Sequence, residues 1–205
     1  MNLKRKAQAL ISYLQSLPDF ELAESATYDH MGAIIVDTML QAGVHWNAVK
    51  PRIDKVREYE EAKTTSGFLS LLSQHRSVSC FLDWKGKKPK WVLGLAKFLK
   101  EEKVETVSDL RKWIQFPKNQ EKLLGLAGFG KKTRDYLIKL SGLPSIAIDR
   151  QLYKALDCAR IHYRNYYDDA QQIMESAADI WGINKSVLDT SIWRYFKKFR
   201  GNECP

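Results

Sequence analysis

The stretch LAGFGKKTRDYL, Leu126 to Leu137, sets Gly128 and Gly130 two residues apart, followed at once by Lys131 and Lys132 and a run that reads as a helix. Cations are disfavoured at that position, because the N-terminal end of a helix carries positive partial charge. Glycines in a turn expose backbone N–H groups without side-chain cover. The first N–H groups of the following helix add to them. The chemistry this predicts is capture of an anion, above all a backbone phosphate read without sequence preference. A bound phosphate would also screen Lys131 and Lys132. A second basic stretch, WKGKKPKW from Trp84 to Trp91, places Lys85, Lys87, Lys88 and Lys90 between two tryptophans. Gly86 and Pro89 argue against a helix there. The spacing suits a phosphate-contacting loop, with a plain solvated loop as the alternative.

The elements that must hold these residues are helical. Apolar residues recur at intervals of three and four: Leu10, Ile11, Leu14 and Leu17, then Ile34, Ile35, Thr38 and Met39. The segments Phe68–Leu72, Trp91–Leu99, Leu110–Ile114 and Ile173–Ile180 behave alike. No run alternates with the period of two that a strand needs, and Ser145–Ile148 is too short to build a sheet. Helix starts are marked by Ser108 and Asp109 before Leu110, and by Asp149 before Leu152. The fold class is all-α. A helix ending near Gly125 and another starting near Lys132, joined by the glycine turn, make a helix–hairpin–helix.

Composition narrows the partner. The 205 residues carry 33 Lys and Arg against 24 Asp and Glu, a net charge of +9, which points to a polyanion. No apolar run reaches the ~20 residues that span a membrane. The basic then apolar start, MNLKRKAQALISYLQSL, has helical spacing and no small-residue cleavage site, so it reads as a surface helix rather than a signal peptide. Cys80, Cys158 and Cys204 are few, far apart and odd in number. They suggest a reducing compartment, no disulfide framework and no four-cysteine iron–sulfur cluster. His30, His45, His75 and His162 have no metal-ligand spacing, so no metal site is expected.

The hairpin is followed by GLPSIAIDRQLYKAL, with Asp149 seventeen residues after Lys132. Together, LAGFGKKT and GLPSIAIDRQLYKAL resemble the signature of the helix–hairpin–helix DNA glycosylase superfamily, endonuclease III-like. That signature runs L-P-G-V-G-x-K-T, then G-x-P, then V-D-T-H-V. Ala127 stands for its proline, Phe129 for its valine, and Arg150 with Gln151 for its Thr-His. DTMLQAGVHWNAV, Asp37 to Val49, resembles the family's LLSAQATD or EVMLQQTQV segment. LDTSIWRYFKKF, Leu188 to Phe199, distantly resembles the closing segment of small cluster-free members that act on 8-oxoguanine. The likeness covers about residues 31–156 and, weakly, the C-terminus.

The resemblance implies roles for particular residues. Lys132 matches the nucleophilic lysine, with Lys131 as the adjacent alternative, and Asp149 the catalytic aspartate. An amine attacks only when neutral, and a helix N-terminus with partial burial favours that form. Gly128, Gly130, Lys131, Lys88 and Lys90 are expected to bind DNA. Gln41 is expected to fill the hole left by a flipped nucleotide. Asp37 and Trp193 are expected in the base pocket. The alternatives are an N-cap for Asp149, an acid at a helix start or surface for Asp37, and a core-facing row Leu188, Ile192 and Phe196 beside Trp193. Trp84 is either a duplex wedge or a core residue.

The implied architecture is a six-helix lobe over 30–143 and a second lobe from 1–29 plus 144–205, with the active site in the cleft between them. The implied activity is excision of a damaged or mismatched base, leaning to 8-oxoguanine, with AP-site cleavage through a lysine Schiff base. A monofunctional glycosylase for uracil or thymine mismatches or oxidised pyrimidines is the alternative, and a non-catalytic DNA-binding module another. The partner is double-stranded DNA bearing such a base, with no membrane, and the protein is expected to be a monomer in the cytoplasm or nucleoid, or in a nucleus. No cofactor is expected, an iron–sulfur cluster least of all, though the hairpin leaves room for a monovalent cation.

Overall fold

The structure, a computed structural model, describes residues 2–164, 166–199, 201 and 203–205. Among these there are twelve α-helices, one 3-10 turn at Glu60–Lys63 and no strand. The first eight helices are α1 (Leu3–Ser16), α2 (Met31–Leu40), α3 (Trp46–Arg57), α4 (Thr65–Ser73), α5 (Val78–Leu82), α6 (Lys88–Glu101), α7 (Val107–Ile114) and α8 (Pro117–Leu124). They are followed by α9 (Lys131–Leu140), α10 (Arg150–Cys158), α11 (Tyr166–Trp181) and α12 (Lys185–Phe196).

The chain divides into two compact units. One is Thr27–Leu143 and holds α2 to α9. Three of its helices are short: α5 has five residues, and α7 and α8 have eight each. α2 is its central helix. MGAIIVDTML is apolar but for Asp37 and Thr38, and all ten residues are buried, as a helix without a broad polar face must be. α3, α4, α6, α9 and the 3-10 turn pack around it. Its N-cap is His30, whose Nδ1 accepts the Ala33 N–H at 3.2 Å while Nε2–H donates to the Tyr59 carbonyl at 3.2 Å. That arrangement is the neutral imidazole, and burial holds its pKa below the usual value.

The other unit joins Met1–Ala26 to Pro144–Pro205. α1 buries Ala7, Leu10, Ile11 and Leu14 and packs on α11. α12 packs on α10 and α11, with Leu188, Ile192 and Phe196 wholly buried as the core-facing row. The Ala147 N–H donates to Asp189 at 2.8 Å, which ties the extended Ser145–Ile148 segment to α12.

Two expectations change. α7 starts at Val107, and its N-cap is Thr106 rather than Ser108 or Asp109. Thr106 Oγ1 accepts the Asp109 N–H while the Asp109 carboxylate accepts the Thr106 N–H, a reciprocal capping box. The cysteines are also not all unpaired: Cys158 and Cys204 form a disulfide with a Cα–Cα distance of 5.5 Å, leaving Cys80 free and exposed. A separation of 46 residues leaves no spacing pattern in the sequence. The last residue of α10 and the chain's end meet because α12 packs against α10. This removes the cysteine argument for a reducing compartment.

Candidate active site

α8 ends at Leu124, with Gly125 as its C-cap, and α9 starts at Lys131, so the turn between them is Gly125 to Gly130. Phe129 is buried in the core of its unit, and its N–H donates to the Leu126 carbonyl at 3.1 Å, which pins the turn. Gly128 has φ +80°, a conformation that L side chains rarely adopt. A Cβ there would also lie 2.5 Å from the Trp91 ring. Gly130 is different. Its backbone is extended, at φ −128° and ψ −178°, and a Cβ would meet nothing within 4 Å. As the N-cap of α9 it brings no side-chain oxygen, so the helix end keeps its positive partial charge.

Lys131 and Lys132 are the first two residues of α9, Lys131 exposed and Lys132 half-buried. The positive charge of Lys132 reaches two groups from other helices, Asp37 on α2 and Lys88 on α6.

The basic stretch Trp84–Trp91 is not one loop. α6 begins at Lys88, with Pro89 in its first turn, where proline's missing N–H costs nothing. Lys85, Lys87 and Lys90 are exposed. Lys88, expected to bind DNA, is half-buried. Its Nζ donates to the Leu40 carbonyl at 2.6 Å and to the Ala42 carbonyl at 2.5 Å. A cation at the C-terminal end of α2 is favourably placed against that helix's dipole. Burial lowers the Lys88 pKa, and the charge of Lys132 lowers it further. Trp84 packs on the core of its unit, with the Arg52 guanidinium 5.7 Å and the Lys88 ammonium 5.8 Å from its ring centre. Trp91, beside exposed Lys90, seats Gly128, so the hairpin turn packs against the start of α6.

Gln41 is the C-cap of α2, its N–H bonded to the Asp37 carbonyl at 3.0 Å. Its Oε1 is buried and has no hydrogen-bond partner among the described residues. Asp37 is neither at a helix start nor on a surface. It lies within α2 and is 0% exposed. Tyr28 donates to its Oδ2 at 3.0 Å, and the Tyr136 hydroxyl lies 3.2 and 3.3 Å from its two oxygens. Burial pushes the Asp37 pKa up to about 7, against the opposing pull of the two tyrosines, Lys139 and Lys132. Sequence reasoning missed these two tyrosines. The available signal was the position of Tyr136, four residues after Lys132 and so on the same side of α9.

Asp149 and Trp193 belong to the other unit. Asp149 is the N-cap of α10, its Oδ1 accepting the Gln151 N–H at 2.8 Å and the Leu152 N–H at 3.2 Å. Trp193 is half-buried on α12, with the Lys197 ammonium 4.2 Å from its ring centre. Among the described residues no group of three or more His, Cys, Asp or Glu is placed to hold a metal ion.

No family model and no curated protein matches the sequence. Solved structures do match the fold. The Helicobacter pylori 3-methyladenine DNA glycosylase MagIII, bound to 1,N6-ethenoadenine, superposes with a TM-score of 0.61 at 16% identity, over 97% of this chain and 98% of that one. A trapped endonuclease III–DNA covalent intermediate, an estranged-adenine complex, superposes with a TM-score of 0.57 at 19% identity, over 100% of this chain and 93% of that one. The chain therefore has the all-helical fold of the helix–hairpin–helix DNA glycosylases.

Proposed function

We propose that this protein is a DNA glycosylase that excises a damaged or mismatched base from duplex DNA, with Lys132 as nucleophile and Asp149 as the carboxylate that stabilises the sugar. The observation that carries the reading is the half-buried amine of Lys132, set in the first turn of a helix that follows a glycine turn with no capping side chain. A phosphate taken up at that helix end and at exposed Lys131 and Lys90 would bring the strand to the amine. The fold shared with two glycosylase-class structures supports the same reading.

In the chemistry proposed, the Lys132 amine attacks C1′ of the sugar and the base departs with the bonding electron pair. The ring opens to a Schiff base, and β-elimination then breaks the C3′–O bond and nicks the strand. Asp149 balances positive charge that develops on the sugar. Oxidised bases, 8-oxoguanine first among them, are the proposed substrates. A second reading is favoured by the likeness to a 3-methyladenine DNA glycosylase. In it the substrate is an alkylated purine, Asp149 activates a water, and the strand stays intact.

A panel of duplexes, each with one lesion, scored for base release and for nicking, tests both. Release with nicking, borohydride trapping of the protein on DNA, and loss of trapping in Lys132→Gln are the results expected. Release without nicking, with Lys132→Gln still active, establishes the second reading. Duplex binding without release of any base leaves only a DNA-binding helical module.

A further inference from the structure

Asp37 is the only ionisable side chain on α2, and a packed apolar residue would sit in its place at lower cost, because a buried carboxylate must be compensated by hydrogen bonds or charge. Its surroundings are specific. α9 packs on α2 and presents Lys132, Tyr136 and Lys139 at intervals of four and three, one above the other on one side of the helix. The Tyr136 hydroxyl lies within 3.3 Å of both Asp37 oxygens, and the charges of Lys132 and Lys139 reach the carboxylate.

The other elements around α2 contribute little opposing charge. From α3, Arg57 and Asp54 act on the Tyr28 hydroxyl that also bonds Asp37. From α6, Lys88 is held on the Leu40 and Ala42 carbonyls at the C-terminal end of α2, about one turn past Asp37. The 3-10 turn meets α2 at His30, where Lys63 and Glu60 are felt, and α4 carries no charged residue.

We propose that Asp37, acting through the Tyr136 hydroxyl, is a buried proton acceptor that holds the Lys132 amine ready for attack. The proposal rests on Lys132 being the nucleophile. The ammonium of Lys132 gives its proton to the Tyr136 oxygen as the Tyr136 hydroxyl gives its own to Asp37. Nζ keeps the electron pair, the carboxylate becomes a carboxylic acid, and nothing is oxidised or reduced. Both are positioning residues, since they act through the Lys132 amine. Burial sets the acceptor to ionise at about pH 7, so it is competent above that pH and lost below it.

The test is single-turnover borohydride trapping on a duplex with one abasic site, which needs no knowledge of the base, between pH 5.5 and 9. The wild-type rate is expected to rise with pH through about 7. Asp37→Asn and Tyr136→Phe are expected to lose about tenfold or more at pH 8 and to lack that limb. A purely packing role would lower the amount of folded protein without removing the limb. Wild-type rate and wild-type limb in both variants overturn the relay while leaving the Lys132 reading intact, provided Lys132→Gln traps nothing. If wild type traps nothing, or Lys132→Gln traps normally, the nucleophile assignment and the relay fall together. Should Asp37→Asn not fold, Tyr136→Phe, which keeps the ring, carries the test alone.

Discussion

Gly128 and Gly130 look alike in sequence and have opposite tolerances. At Gly128 an alanine methyl would strike the Trp91 ring in a backbone conformation that already excludes side chains. Gly128→Ala is therefore expected to cost about 2 kcal/mol or more. Gly130→Ala should stay within about 0.5 kcal/mol of wild type, since its backbone is extended and its surroundings open. Urea midpoints of the two variants check the contrast. Asp37 makes a prediction about pH. Its folded pKa, about 7, lies above its unfolded value, so its contribution to stability is fully present near pH 4 and is lost as pH rises through 7. Asp37→Asn removes that loss. Its stability relative to wild type should improve by a few kcal/mol between pH 5 and 8, at about 1.4 kcal/mol per pKa unit. A difference that does not change with pH would place the titration elsewhere. At this scale the sequence showed which residues could do chemistry but not which faced inward. Lys88 and Lys90 sit two apart in one basic run, yet only Lys90 is exposed. The acceptors that hold Lys88 are the Leu40 and Ala42 carbonyls at and just past the end of α2, and backbone carbonyls leave no mark on sequence.

Helices were the most legible level, because periodicity is a property of each segment alone. The apolar rows of α1, α4, α6, α11 and α12 are buried as their spacing predicts, except Ile180 near the end of α11, which is exposed. Boundaries were harder where one residue type has two uses. Pro89 reads as a helix breaker, but proline is equally at home in a first turn, and α6 uses it there. Asp149 has the same double character. It caps α10 with two backbone hydrogen bonds and is also the proposed catalytic carboxylate. The two duties can be separated. Asn caps nearly as well as Asp, so Asp149→Asn should unfold within about 0.5 kcal/mol of wild type while losing base excision. Asp149→Ala should lose excision and about 1 kcal/mol besides. Thermal unfolding read alongside an excision assay distinguishes cap from catalyst. Full excision by Asp149→Asn would leave the residue with structural work only.

For the molecule as a whole, sequence supplied the helical class and the basic charge but not the closure of the chain. The Cys158–Cys204 bond depends on α12 returning along α10, a long-range consequence of packing. Closing a loop with a separation of 46 residues is worth about 4 kcal/mol in chain entropy. Thiol reductant or Cys158→Ser should lower the unfolding free energy of the Met1–Ala26 and Pro144–Pro205 unit by that order and leave the Thr27–Leu143 unit nearly unchanged. Hydrogen exchange resolved by unit measures it, and equal losses in both units would overturn it. The same division bears on synthesis. α1 is made before α2 to α10, yet the surface it packs on, α11, is made only after all of them. That helix must therefore wait, its Leu10, Ile11 and Leu14 unsheltered, until α11 has been translated. A message truncated before codon 166 would leave that first helix with no α11 to cover it.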